Sequence, residues 1–293
     1  MTMTNPAQTH ETVVTLTIDG QPVSVAEGAT VLDACTAAGV DTPTLCYAEN
    51  LTPVNACRVC VVEQSGSRTL VPSCSRQAEA GMEIQTDTVR VRHSRKMVLE
   101  FLGSGVDLSQ ADDLHQWMDH YGSDPTRYGD EAARIDEEVK IQDELYIRDY
   151  DKCVLCYKCV EACGDDAQLT FAIAVSGRGF GARISTEFDV TLPDSACVYC
   201  GNCVGVCPTG AIQFKTEYDL RQGGEWRPED QTVTQTVCSY CGVGCNLELH
   251  VQDDSIVKVT SPADHSVTHG HLCIKGRFGW TYVQPTIERR EPA

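Results

Sequence analysis

Residues 153–163 read CVLCYKCVEAC, and residues 197–208 read CVYCGNCVGVCP. Both carry the spacing C-x2-C-x2-C-x3-C, which crowds three thiols onto one tight loop and sets a fourth one helical turn further on. This is the spacing of a [4Fe-4S] site, and where two such runs share a domain the fourth cysteine of each ligates the other cluster. The expected ligand sets are therefore Cys153, Cys156, Cys159 and Cys207 for one cubane, and Cys197, Cys200, Cys203 and Cys163 for its partner. Such an exchange holds the two cubanes close, which suits electron hopping. Residues 149–217 are accordingly expected to fold as a two-cluster [4Fe-4S] ferredoxin domain. The first run ends in Cys163-Gly164 where the second ends in Cys207-Pro208.

The remaining cysteines extend the same arithmetic, because the chain has 17 and they fall into four groups of four with Cys35 left over. Cys46, Cys57, Cys60 and Cys74 are spaced C-x10-C-x2-C-x13-C. A [2Fe-2S] centre needs two thiolates per iron, and a C-x2-C loop with one cysteine before and one after supplies them. Structural zinc sites usually pair two C-x2-C knuckles, and this block has one. Cys238, Cys241, Cys245 and Cys273 form C-x2-C-x3-C-x27-C, whose long last gap requires a folded unit between ligands. The inventory is one [2Fe-2S] and three [4Fe-4S] clusters.

Around these sites the patterning predicts an α+β chain. Residues 12–18, TVVTLTI, alternate, Asp19-Gly20 supplies a turn tolerant of positive φ, and Val23 and Val25 resume the alternation, which is a hairpin. Thr30 can cap a short helix through Ala38 that Gly39 ends. Hairpin, helix and cysteine loop together suggest a beta-grasp [2Fe-2S] ferredoxin domain over residues 11–86. Residues 87–148 hold no cysteine and read as a helical connector, with an amphipathic helix from Thr88 to Leu102 stopped by GSG at 103–105 and a mainly helical, polar stretch at 106–148. After a polar linker, QGGEWRPEDQ, the alternating NLELHV and SIVKV predict a small, mostly-β [4Fe-4S] domain at 231–285, followed by a polar tail ending ERREPA.

The net charge of -19 argues against a nucleic-acid partner, whose affinity comes from clustered Lys and Arg, and equally against an anionic membrane. Four clusters at roughly -2 each would take the loaded protein to about -27. No run approaches membrane-spanning length, and MTMTNPAQTHE at the N-terminus has no signal-peptide character, so a cytoplasmic location and metal-bound rather than disulfide-bonded thiols are expected.

Two segments also resemble known families. The first cysteine group resembles the N-terminal domain of the large iron-sulfur subunit of respiratory complex I and of iron-only hydrogenases. CSYCGVGC at 238–245 followed by HLCIKGRFGW at 271–280 resembles the entry domain of molybdopterin oxidoreductases, especially cytoplasmic formate dehydrogenases. That resemblance implies that Lys275, two residues past the last cysteine, lies between the cluster and the pterin cofactor. With RKMVLEFL at 95–102 and FAIAVSGRGFGARIS at 171–185, the likeness to the N-terminal portion of the large subunit of NAD-dependent formate dehydrogenases runs over residues 11–285.

It departs in two places. Those relatives usually carry one more cubane, bound in H-x3-C-x2-C-x5-C, whereas residues 75–152 offer His93, His115 and His120 without any cysteine. The [2Fe-2S] centre must then approach the cubanes directly, reach them through a partner, or be a side branch. The family's pterin-holding portion is also absent, so either the chain is a fragment or, the favoured expectation, the gene is split, with the Mo- or W-bis-pterin on a separate catalytic subunit and FMN and NAD on a flavin subunit. The implied function is that of an electron-transfer subunit in a hetero-oligomeric NAD-dependent formate dehydrogenase, an enzyme component with no complete catalytic site of its own. The alternative is an iron-sulfur subunit of a NAD-reducing hydrogenase or of a complex I-like NADH dehydrogenase. A zinc scaffold without redox activity is the competing reading from another class.

Other features have plainer readings. GRGFG at 177–181 lies between cluster runs, without the strand-to-helix setting of a dinucleotide site, and reads as a glycine-rich hairpin. Cys35 falls on an apolar helix face and reads as a buried thiol. The acidic DEAARIDEE at 130–138 reads as a solvated helix face, and no Ser-His-Asp or Cys-His arrangement stands out.

Overall fold

The computed structural model describes residues 12–283 except 132, 133 and 135. The N-terminal MTMTNPAQTHE and the ERREPA tail lie outside the described residues. The chain divides into two compact units, one formed by residues up to 45 with 57–101 and 117–124, the other by 46–56, 102–116 and 125 onward.

In the first unit, β1 (Val13–Ile18) and β2 (Gln21–Ala26) form the antiparallel hairpin, turning through Asp19 at φ 47° and Gly20 at φ 82°. α1 (Val31–Ala37) begins at a capping box in which Asp33 N donates to Thr30 Oγ1 at 3.2 Å and Thr30 N donates to Asp33 Oδ2 at 2.7 Å. β3 (Val61–Gln64), β4 (Val71–Pro72) and β5 (Glu83–Gln85) complete a mixed sheet of order β2-β1-β5-β3-β4, with β1 and β5 parallel. Alternation puts Leu16 and Ile18 inward, where they meet Val31, Ala34, Cys35, Val62, Met82 and Ile84.

The helix expected to stop before Gly103 does not: α2 runs Val89–Gly105. Two helical glycines cost only about 1 kcal/mol each, Ser104 is buried, and Val106 N still donates to Leu102 O at 3.2 Å. Beyond it the connector is less helical than its polarity suggested. Among the described residues of the connector, α3 (Asp112–Tyr121) is followed by no further helix but a 3-10 segment, Pro125–Glu131, broken by Gly129 at φ 66°. Gly122, Pro125 and Gly129 interrupt the ladder, and in the acidic stretch residues 134 and 136–138 are not helical.

The second unit holds the ferredoxin-type segment. β6 (Tyr146–Arg148) pairs antiparallel with the later strand β9, and α4 (Lys158–Cys163) precedes the hairpin of β7 (Ala174–Ser176) and β8 (Arg183–Ser185). α5 (Asn202–Val206), β9 (Ile212–Phe214) and α6 (Lys215–Gln222) follow. The expected linker is docked rather than free: Gln252 donates to Glu225 O at 2.8 Å and accepts from Arg227 N at 3.0 Å, and Trp226 lies under Arg221 and Lys258. β10 (Thr232–Val237), β11 (Asn246–Gln252) and β12 (Ser255–Thr260) form a three-stranded antiparallel sheet, and α7 (Ile274–Phe278) leads into a 3-10 turn at Gly279–Tyr282. No helix among the described residues is long and apolar enough to cross a membrane.

Candidate iron-sulfur centres

α4 and α5 lie against each other, and each ends its run by delivering a cysteine to the other's side. One cavity is lined by Cys153, Cys156, Cys159 and Cys207, with Tyr150, Ile184 and Ile212. A second is lined by Cys163, Cys197, Cys200 and Cys203, with Tyr146, Ile173 and Leu192. The two loops repeat the same backbone. Leu155 and Tyr157 stand at φ 51° and 64°, Tyr199 and Gly201 at 55° and 71°, and these left-handed residues turn successive N–H groups toward sulfur. Backbone N–H groups of Leu155, Lys158 and Asn202 bond Cys153, Cys156 and Cys200, and Tyr199 N reaches Cys197 Sγ at 3.4 Å. Ile212 N reaches Cys207 Sγ at 3.4 Å.

Burial, followed by the neighbouring Cys207 and Cys156, pushes the Cys153 thiol up to about 12. Burial likewise takes Cys156 to about 11, and holds Cys159 and Cys203 well above the usual thiol range. Four such sulfurs cannot all ionise in one small cavity unless a polycationic core sits among them, and the inward N–H groups suit thiolates, so the donor sets fit [4Fe-4S] cores. Among the described residues no three His, Cys, Asp or Glu side chains close round a single-ion position.

In the first unit Cys60 and Cys74 are buried with their sulfurs 3.4 Å apart, and Cys57 is half-buried. Ser73 Oγ donates to Cys60 O at 2.8 Å, and the buried Arg95 donates twice to Val61 O. Cys46 belongs to the second unit, near enough to Cys156 to raise its thiol. Its segment is pinned there by Lys158 Nζ to Tyr47 O at 3.2 Å, Thr52 N to Asp166 at 2.7 Å and Asn50 Nδ2 to His269 O at 2.8 Å. Cys35 is buried, and that burial lifts its thiol to about 11.

Of the last group, Cys238 is buried, Cys245 half-buried, and Cys241 and Cys273 exposed. Burial, then the proximity of Cys238, Cys273 and Cys241, raises the Cys245 thiol. Cys273 caps α7, and Lys275 is exposed, its carbonyl accepting from Gly279 N while its side chain has no hydrogen bond or ion pair among the described residues. Of the three connector histidines, His115 bonds Leu108 O at 2.9 Å and His120 packs edge-on to Trp117 and Tyr121.

Three residues beside the second cavity escaped the motif reading. Tyr146 Oη lies 3.3 Å from Cys197 Sγ, and burial keeps its hydroxyl protonated far beyond the usual range. Arg277, 1% exposed, donates to Asn202 Oδ1 at 3.2 Å, and burial lowers its guanidinium to about 10. Asn202 Oδ1 also accepts from Leu272 N at 2.9 Å. The available signal was a mismatch between the two runs at Gly201, Asn202 and Gly205.

Three family models match the chain: a 2Fe-2S iron-sulfur cluster binding domain at residues 11–89, a 4Fe-4S dicluster domain at 152–211, and a molybdopterin oxidoreductase Fe4S4 domain at 231–285. An NADH-quinone oxidoreductase subunit of Rhizobium meliloti (strain 1021) is 31% identical over 96% of this chain and 33% of its own length. A candidate formate dehydrogenase of Staphylococcus haemolyticus is 26% identical over 94% of this chain and 32% of its own length. The chain thus spans about a third of the length of these curated relatives. A chain of the NAD+-reducing [NiFe]-hydrogenase, crystallised in the H2-reduced state, aligns with TM-score 0.59 at 25% identity, covering 69% of this chain and 87% of that one. The chain carries 2Fe-2S and 4Fe-4S cluster domains and is related to iron-sulfur subunits of oxidoreductase complexes.

Proposed function

From that kinship and the paired cavities, we propose that the chain is the electron-transfer subunit of an NAD-linked formate dehydrogenase, working between a Mo- or W-pterin catalytic subunit and a flavin/NAD subunit. The observation that carries the electron-transfer part is the exchange of Cys163 and Cys207 between two adjoining cysteine cavities. In this reading Cys153, Cys156, Cys159 and Cys207 hold one cubane and Cys163, Cys197, Cys200 and Cys203 the next. Cys238, Cys241, Cys245 and Cys273 hold a third, and Cys46, Cys57, Cys60 and Cys74 hold the [2Fe-2S] centre. Bound clusters supply one-electron carriers. The chain's own residues fix their separation, exclude water through Tyr150, Ile173, Leu192 and Phe214, and donate N–H groups to sulfur.

The formate part is supported by the molybdopterin-type match at 231–285 and by the exposure of Cys241, Cys273 and Lys275 on one segment, where a pterin-bearing partner would dock. The likenesses to NADH-quinone oxidoreductase and to hydrogenase favour the second reading, a subunit of one of those assemblies. Anaerobic purification of the native complex separates them. The proposal expects about fourteen irons per chain, molybdenum or tungsten, flavin, and formate-dependent NAD reduction. Nickel or quinone reductase activity without pterin would replace formate with the second reading, and a colourless zinc protein would end both.

A further inference from the structure

Counted from their first cysteines, the two cubane runs keep Val160 and Val204 in register and differ at five positions, at three of which Tyr157, Lys158 and Glu161 of the first become Gly201, Asn202 and Gly205 of the second. All three replacements face one side chain. A Cβ on Gly201 would stand 2.9 Å from Arg277 Cγ and 2.7 Å from the Phe278 ring, and one on Gly205 would stand 3.1 Å from both terminal nitrogens of Arg277. Asn202 accepts from Arg277. The second half-site is hollowed out to admit a guanidinium that the first has no room for.

The charge on that guanidinium is uncompensated. Its other acceptors are Val259 O at 3.3 Å and Gly270 O at 3.4 Å, its Nε has none, and among the described residues no carboxylate pairs with it. Cys200 and Cys203 are the groups whose negative charge it feels most. At the first site the cation acting on Cys156 is Lys158, half-buried, spent on Tyr47 O and screened by water, while the buried Arg148 bonds Tyr150 of that cavity and also lines the second. A buried, unpaired positive charge acts at low dielectric and favours the state with more negative charge on the cluster.

Resting on the electron-carrier reading above, we propose that Arg277 holds the reduction potential of the cluster on Cys163, Cys197, Cys200 and Cys203 above that of its pseudo-symmetric twin. Reduction adds one electron to that cluster and takes up no proton. Because Arg277 follows Cys273 on α7, the segment that carries the last cluster also creates the site of higher potential beside it.

The test is an anaerobic dithionite titration of the full 293-residue chain, followed by electron paramagnetic resonance, with iron and sulfide assayed on each sample. Wild-type cubanes in the ferredoxin segment should titrate apart. In R277Q the higher of the two should fall at least tenfold in its one-electron equilibrium constant, ~59 mV, with iron content and the other signals unmoved, and R277K should recover most of the fall. N202D, equal in size and placing a carboxylate against the guanidinium, should shift the same signal in the same direction, and it decides the matter if R277Q does not retain iron. Coincident wild-type potentials, or either variant fully loaded with unchanged potentials, would overturn the proposal. A wild-type chain with no cubane signals fails the electron-carrier reading instead, so the two failures are distinguishable.

Discussion

Gly201 has a conformational and a steric reason for having no side chain: φ of 71°, and no space toward Phe278 and Arg277. Gly201→Ala should therefore cost about 2–4 kcal/mol, combining left-handed strain with overpacking. Gly224 has φ of 68° but nothing within 4 Å of a Cβ, so Gly224→Ala should lose only about 1 kcal/mol. Urea unfolding of the two loaded variants compares them directly. Tyr146→Phe removes the O–H that reaches Cys197 while keeping the ring stacked on Phe278. Hydrogen bonds to sulfur raise cluster potential, so one cubane should titrate lower with iron content unchanged. Cysteine positions were legible in the sequence because ligand spacing is local. Arg277 and Asn202 were not, since their meeting across 75 positions depends on packing that no local pattern encodes.

α1 was legible because both partners of its capping box lie within four residues, and Thr30→Ala should cost about 1 kcal/mol in urea unfolding. α2 was misread at its end, where glycine propensity, a weak term, yielded to packing around Ser104. The connector after α3 was misread because polarity alone does not distinguish a helix from a chain held by side chains, such as Lys140 with Glu137 and Asp189. In the three-stranded sheet, His250 on β11 bonds Thr260 at 2.9 Å, and burial, helped by Lys258, holds its imidazole below the usual 6.5. Its neutral form is favoured in the folded state, so its contribution is full above about pH 6.5 and is lost as pH falls toward the lowered folded value. His250→Gln should flatten the decline in urea midpoint between neutral and mildly acidic pH relative to the parent chain.

Across the whole molecule, seventeen thiols divide into sixteen proposed ligands and one packing residue. Cys35→Ser should leave iron at its parent level, whereas Cys163→Ser should remove about four irons by emptying one cubane site. What the spacing left open is the route past the missing histidine-ligated cubane; residues 46–56 are held within the second unit by hydrogen bonds from Asn50 and Thr52. The exchange of Cys163 and Cys207 also carries a consequence for biosynthesis. A nascent chain that has emerged past residue 163 but not yet past 207 offers the first cavity only three of its four sulfurs. If those four sulfurs hold a cubane as proposed, the first cavity can be filled only once the second run has been translated.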